Sequence, residues 1–192
     1  EGRAGSGKTF LSYGCALEDI IKEKYRRLIV VRELVPATPF KMGFLPGKME
    51  EKIGPMFAAI NDAMESLAMN TTGLLYQDPE SVTRNLISQK RIEVATLEFM
   101  RGRNLRDSII ICDDAQNLAV QGIRTIVTRP SHGSKIILNG DISQVDWNPQ
   151  RIGIEYLQAV FGTRGSKMFS SLMFHQTFRD PAVAEFLDLE EE

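Results

Sequence analysis

Residues 1–10 read Glu1-Gly2-Arg3-Ala4-Gly5-Ser6-Gly7-Lys8-Thr9-Phe10, and Gly2 to Thr9 satisfy the spacing G-x-x-x-x-G-K-[ST] in full. Each residue type there has a physical reason. Glycines let backbone N–H groups close around phosphate oxygens, and a helix directly behind the loop presents its positive end. Lys8 reaches the β- and γ-phosphates, and the Thr9 hydroxyl is placed to ligate Mg²⁺. A chance match in a flexible Gly-rich turn would lack the helix, whereas Phe10–Lys24 has helical spacing of apolar residues and ends in a basic turn. The loop therefore predicts a nucleotide site, with ATP and Mg²⁺ as cofactors and Gly2, Arg3, Ala4, Gly5, Ser6, Gly7, Lys8 and Thr9 as the binding residues.

Outward from the loop, strands and helices alternate. "RLIVVRE" (27–33), "RIEVAT" (91–96), "SIIIC" (108–112) and "KIILN" (135–139) read as strands, and a further one is expected near "MFSSLMF" (168–174). Helices are predicted at 49–69, with an interruption at Gly54-Pro55, at "LEFM" (97–100), from about Leu118, at "GIEYLQAVF" (153–161) and from Pro181. The stretches 36–48 and 70–81 read as loops. A continuous apolar run such as "SIIIC" suits a strand covered on both faces. The alternation predicts an α/β fold with a mostly parallel sheet between two helical layers. A phosphate-binding loop ordinarily follows a buried strand, and none precedes Gly2. The expectation is one domain over 1–192, N-terminally incomplete, its first strand missing from this chain.

Composition narrows the class. The 192 residues are 43% hydrophobic, enough for one full-sized core, and 23 basic against 25 acidic side chains leave a formal charge of −2. Bulk charge does not draw such a chain onto nucleic acid or an anionic membrane, so any nucleic-acid contact must come from a local patch. Cys15 and Cys112 lie in apolar runs without metal or redox spacing, and no stretch approaches the roughly 18 uninterrupted apolar residues of a membrane span. A cytoplasmic protein without membrane partners is expected.

Three further motifs carry chemistry. In "SIIICDDAQN" the apolar run ends in Asp113, whose carboxylate can hold Mg²⁺ through water at the sheet edge, while Asp114 can orient and polarise an attacking water; helix capping is the alternative reading. In "NGDISQVD", Gln144 follows a strand end and can sense a γ-phosphate, although Gly-Asp is also ordinary turn chemistry. In "HQTFRDP", Arg179 can serve as an arginine finger or can be merely solvated. Arg101, Arg103 and Arg106 form a basic cluster that could face RNA or a neighbouring subunit. Lys41, Lys48 and Lys52 flank the apolar tip "GFLP", where Phe44 could stack on a base. Trp147 suits packing better than stacking, and His132 and His175 show no metal-ligand spacing.

Taken in order, GRAGSGKT, DDAQN, GDISQ and FRDP resemble motifs I to IV of the superfamily 1 helicase core. "FKMGFLPGKMEEKIGP" (40–55) and "LEFMRGRNLRDSIIICDDAQN" (97–117) narrow this to a resemblance to the PhoH family over nearly the whole chain. The resemblance implies a RecA-like ATPase domain that assembles as a ring, with a hexamer expected, and a role in RNA metabolism or helicase-like remodelling. It implies that Lys8 and Thr9 bind phosphate and metal, Asp113 holds Mg²⁺, Asp114 takes the catalytic carboxylate's place, Gln116 and Gln144 sense nucleotide, and Arg179 is the finger. Asp114 departs from the family's usual Asp-Glu pair by one methylene, which predicts slower hydrolysis. Two alternatives to an RNA-coupled ATPase are a nucleotide-dependent switch or assembly module with little turnover, and a P-loop kinase. The kinase leaves GDISQ and the Asp-Asp-Ala-Gln run unexplained.

Overall fold

The apolar runs of the sequence become the centre of a four-stranded sheet. A computed structural model describes residues 1–3, 5–32, 57–58, 60–66, 78–142, 152–178 and 180–181. Strands β1 (Arg27–Arg32), β2 (Ile92–Thr96), β3 (Ser108–Cys112) and β4 (Lys135–Leu138) lie in the order β2-β1-β3-β4, and every pairing is parallel. The register sets Leu28 against both Ile92 and Ile109, and Ile109 against Lys135.

Because side chains alternate along a strand, β1 and β3 feed two separate cores. On one face Leu28, Val30, Ile109 and Ile111 pack with Tyr13, Leu17 and Ile20 of α1 (Lys8–Ile21), with Ile60 and Met64 of the helical stretch 60–66, and with Leu86 of α2 (Pro79–Ser88). On the other, Ile29, Val31, Ile110 and Cys112 meet Leu97 and Met100 of α3 (Leu97–Met100), Ile123 and Ile126 of α4 (Val120–Val127), and Ile154 and Leu157 of α5 (Gly153–Arg164). The result is helix, parallel sheet, helix, as the alternation predicts.

Several boundaries differ from the sequence expectation. Helix α1 begins at Lys8, because Gly7 turns the chain with φ 85°. It ends at Ile21 in a left-handed Glu23 (φ 58°), with Glu23 donating to the Ile20 carbonyl at 3.0 Å and Lys24 to that of Asp19 at 2.9 Å. Helix α2 has no counterpart in the sequence reading, which placed "DPES" in a loop. Asp78 caps it by accepting from the Ser81 amide at 3.0 Å, and Pro79 occupies the first turn. The helix expected from Leu118 is a 3₁₀ turn (Ala115–Asn117) followed by α4.

The strand expected at 168–174 is not formed. Among the described residues its backbone pairs only with Glu1 and Gly2, through a Gly2–Phe174 bridge in which the Phe174 amide donates to the Glu1 carbonyl at 2.8 Å. A ladder this short does not make a strand, and Met168, Leu172 and Met173 stay exposed. The readings at 36–48, 67–77 and 182–192, and most of the helix expected at 49–69, lie outside the described residues.

Candidate functional site

The site forms where the phosphate-binding loop meets the C-terminal ends of β1, β3 and β4. Gly2 (φ 152°), Gly5 (φ 73°) and Gly7 (φ 85°) take backbone conformations that side chains rarely adopt. Gly2 is also crowded: a Cβ there would lie 2.6 Å from the Phe174 carbonyl oxygen and 2.8 Å from Ser6 Oγ. No side chain caps α1 and no acidic residue sits in its first turn, so the helix presents its positive end to the loop. The Lys8 ammonium curls back to donate to the carbonyls of Gly2 and, at 2.8 Å, Arg3. Ser6 is 1% exposed, and among the described residues its hydroxyl has no partner.

Asp113 leaves the end of β3, and its carboxylate is gathered towards the loop. Thr9 Oγ1 donates to Asp113 Oδ1 at 3.3 Å, and Asn139 Nδ2 donates to the same oxygen at 3.3 Å. Asn139 Nδ2 also donates to Ser12 Oγ at 2.7 Å, and that hydroxyl donates to the Thr9 carbonyl at 3.0 Å. Burial pushes the Asp113 carboxyl above its ordinary range and the Asp114 charge adds to this, while Asn139, Arg32 and Thr9 oppose it. Tyr13, buried on α1, is pushed upward by burial first and by the Asp113 charge second.

Asp114 takes a left-handed conformation (φ 51°, ψ 37°) and its carboxylate turns the other way, into an ion pair with Arg32 at the end of β1. Gln116 is buried, and its Oε1 accepts from the Asp141 amide at 3.2 Å. Gly140 lets this happen, since a Cβ there would meet Ile154 and would lie 3.2 Å from the Gln116 amide. The Phe178 amide donates to the Gly5 carbonyl at 3.0 Å, which brings the segment before Arg179 onto the loop.

The structure thus brings the glycine loop, Lys8 and Thr9 to Asp113, whereas Asp114 follows it in the chain but turns to Arg32, and Gln116 lies behind, bonded to Asp141. Arg101 is exposed on a turn. Arg103 is engaged within the chain, donating to Glu93 at 2.7 Å, and Arg27 holds the other oxygen of Glu93 at 2.6 Å. Ala4, Lys41, Phe44, Lys48, Lys52, Gln144, Trp147 and Arg179 lie outside the described residues. Sequence reading missed Arg32, Ser12 and Asn139. Asn139 is within reach as the polar residue that ends "KIILN" and opens "NGDISQVD".

The residues present fit a nucleotide phosphate and Mg²⁺. Among the described residues the buried Ser6 hydroxyl, beside a positive helix end, has no partner, and a phosphate oxygen would satisfy it. Thr9 and Asp113 offer hard oxygen donors suited to Mg²⁺, which is bound by one or two carboxylates plus substrate phosphates. Among the described residues there is no cluster of three or more His, Cys, Asp or Glu side chains that could hold a metal alone.

A glycine loop, a helix N-terminus, a lysine and a Thr–Asp pair on a parallel sheet covered on both faces define a RecA-like P-loop domain. Comparison with known proteins agrees. The family model described as "PhoH-like protein" matches residues 1–191. A "PhoH-like protein" of Synechocystis sp. is 34% identical over 188 residues, covering 97% of this chain and 54% of the relative. A "PhoH-like protein" of Mycobacterium leprae is 37% identical over 145 residues, 76% of this chain and 38% of the relative. "Protein PhoH2" of Bacillus subtilis is 38% identical over 148 residues, 76% of this chain and 31% of the relative. The chain belongs to the PhoH family of P-loop NTPases, and it spans about half or less of the length of these relatives. Among the described residues, no helix is long and apolar enough to cross a membrane.

Proposed function

We propose that this chain binds and hydrolyses ATP with Mg²⁺ and couples the cycle to RNA or another single-stranded nucleic acid, in the cytoplasm and as a ring-forming homo-oligomer. The observation that carries the nucleotide reading is the meeting of Thr9 and Asp113 beside the glycine loop and Lys8. In this reading the loop amides, Ser6 and Lys8 bind the phosphates, and Thr9 and Asp113 hold Mg²⁺. Mg²⁺ held there would supply neutralisation of phosphate charge. Asp114 orients and polarises the attacking water, Gln116 and Gln144 respond to the nucleotide, and Arg179 stabilises transferred charge in its own or a neighbouring subunit. Phe44, Lys48, Arg101 and Arg103 are the candidate contacts to nucleic acid or to the next subunit.

A second reading keeps nucleotide binding and drops most turnover, making the chain a switch or assembly module. Asp114 favours it, being one methylene shorter than the glutamate usual at its place. Phosphate release from ATP, measured with and without single-stranded RNA, separates the two. Turnover stimulated several-fold by RNA supports the first reading; tight ATP binding with turnover absent or indifferent to RNA supports the second.

A further inference from the structure

We infer that Arg32 is the positioning residue for Asp114, fixing the side chain on which the proposed hydrolysis depends; the inference rests on that reading of Asp114. Strands β1 and β3 are parallel neighbours, with Val31 opposite Cys112 and the Asp113 amide donating to the Val31 carbonyl at 3.4 Å. Arg32 therefore stands at the sheet edge one step beyond the last register pair, level with the point where the chain leaves β3 for two consecutive carboxylates.

Those carboxylates diverge. Asp113 turns to Thr9 and Asn139 on the loop and β4 side, and Asp114 turns to Arg32 on the β1 side. The left-handed backbone of Asp114 sets the direction of its Cα–Cβ bond, and its side chain makes no capping bond to the 3₁₀ turn that follows. Among the described residues, Arg32 is the one cation paired with it. A planar guanidinium restricts a carboxylate's orientation as a point charge does not, so the pair favours the orientation of Asp114 seen here. An aspartate one methylene short of glutamate has less reach with which to correct a misplaced carboxylate, which makes its anchor matter more.

The test compares Arg32→Ala, Arg32→Lys, Asp114→Ala and the Arg32→Ala/Asp114→Ala double variant, reading kcat and KM for ATP, the Kd for Mg-ATP and the melting temperature. Arg32→Ala should lower kcat by about 10- to 100-fold with Kd changed less than about twofold, the range that supporting residues and small misplacements typically give. Arg32→Lys should fall between it and the wild type. The double variant should be no slower than Asp114→Ala, and melting temperatures should show the two substitutions to be coupled in stability. The inference is overturned if Arg32→Ala keeps wild-type kcat, if Kd worsens in step with kcat, or if the two substitutions add independently. Wild-type hydrolysis by Asp114→Ala is a different result: it removes the catalytic reading of Asp114, and this inference with it.

Discussion

Thr9, in the first turn of α1, and Asp113, at the end of β3, meet at 3.3 Å across 104 residues of sequence. Nothing local in the chain brings a hydroxyl and a carboxylate together at that range. The parallel sheet does so, by setting the C-terminal end of β3 beside the helix that follows the glycine loop. Asp113→Asn keeps the shape and removes the charge on which a Mg²⁺ ion would depend. It should lower ATP turnover by at least about tenfold, and added Mg²⁺ should recover less of it than in the wild type, as a Mg²⁺ titration of phosphate release would read.

Asn139 joins three parts of the site, because its amide serves both Ser12 and Asp113 while its backbone accepts from the Ala115 amide at 2.8 Å. Asn139→Ala leaves the buried Ser12 hydroxyl and a partly buried Asp113 carboxylate oxygen each short of a donor. The expected loss is about 1–3 kcal/mol of stability, with a fall in turnover. Differential scanning calorimetry checks the first and phosphate release the second; Asn139→Ala with an unaltered melting temperature would contradict the network.

Gly153 opens α5 where the chain presses on the neighbouring turn. A Cβ there would meet Ile123 and would lie 2.8 Å from the Leu118 carbonyl oxygen and 3.0 Å from that of Ala119. Backbone cannot yield as a side-chain tip can, so Gly153→Ala should destabilise by about 1–3 kcal/mol. Denaturant unfolding should show a lower midpoint with an unchanged slope.

The cluster of Arg27, Glu93 and Arg103 ties β1, β2 and the turn before β3, and it gives stability a pH dependence. Burial pushes the Glu93 carboxyl upward, but hydrogen bonds from Arg103 and Arg27 outweigh it, and the pKa ends below its ordinary value. The folded protein therefore holds this proton less tightly than the unfolded chain does. The contribution is fully present above the unfolded value of about 4.3 and is lost as pH falls through the folded one. Its size is on the order of 1 kcal/mol, because the three side chains are partly exposed. Glu93→Gln should lower the melting temperature at pH 7, and the gap to the wild type should close as the pH drops below 4.

Much of this architecture is legible in the sequence, because buried parallel strands are continuous apolar runs and the phosphate loop has a fixed spacing. "SIIIC" and "RLIVV" could hardly be anything else between charged flanks. What escaped has physical causes. Helix α2 hides behind Asp78-Pro79-Glu80-Ser81, which reads equally as a turn or as a capped helix start. The ends of α1 and α2 are obscured because Glu23 and Lys90, rather than glycines, take the left-handed position. "MFSSLMF" has a strand's composition, but among the described residues its backbone ladder reaches only Glu1 and Gly2. Arg32 and Asn139 matter through partners distant in sequence, and a polar residue at a strand end gives no sign of which partner it will meet.

In the proposed function, Gly2 to Thr9, Asp113 and Asp114 form a working nucleotide site. The most direct test is phosphate release from Mg-ATP by the wild type and by Lys8→Ala, at matched protein concentration and with folding checked by circular dichroism. Turnover is expected in the wild type, with a loss to background in a Lys8→Ala protein that remains folded. Equal phosphate release by the two proteins, or none by either despite saturating Mg-ATP, would contradict it.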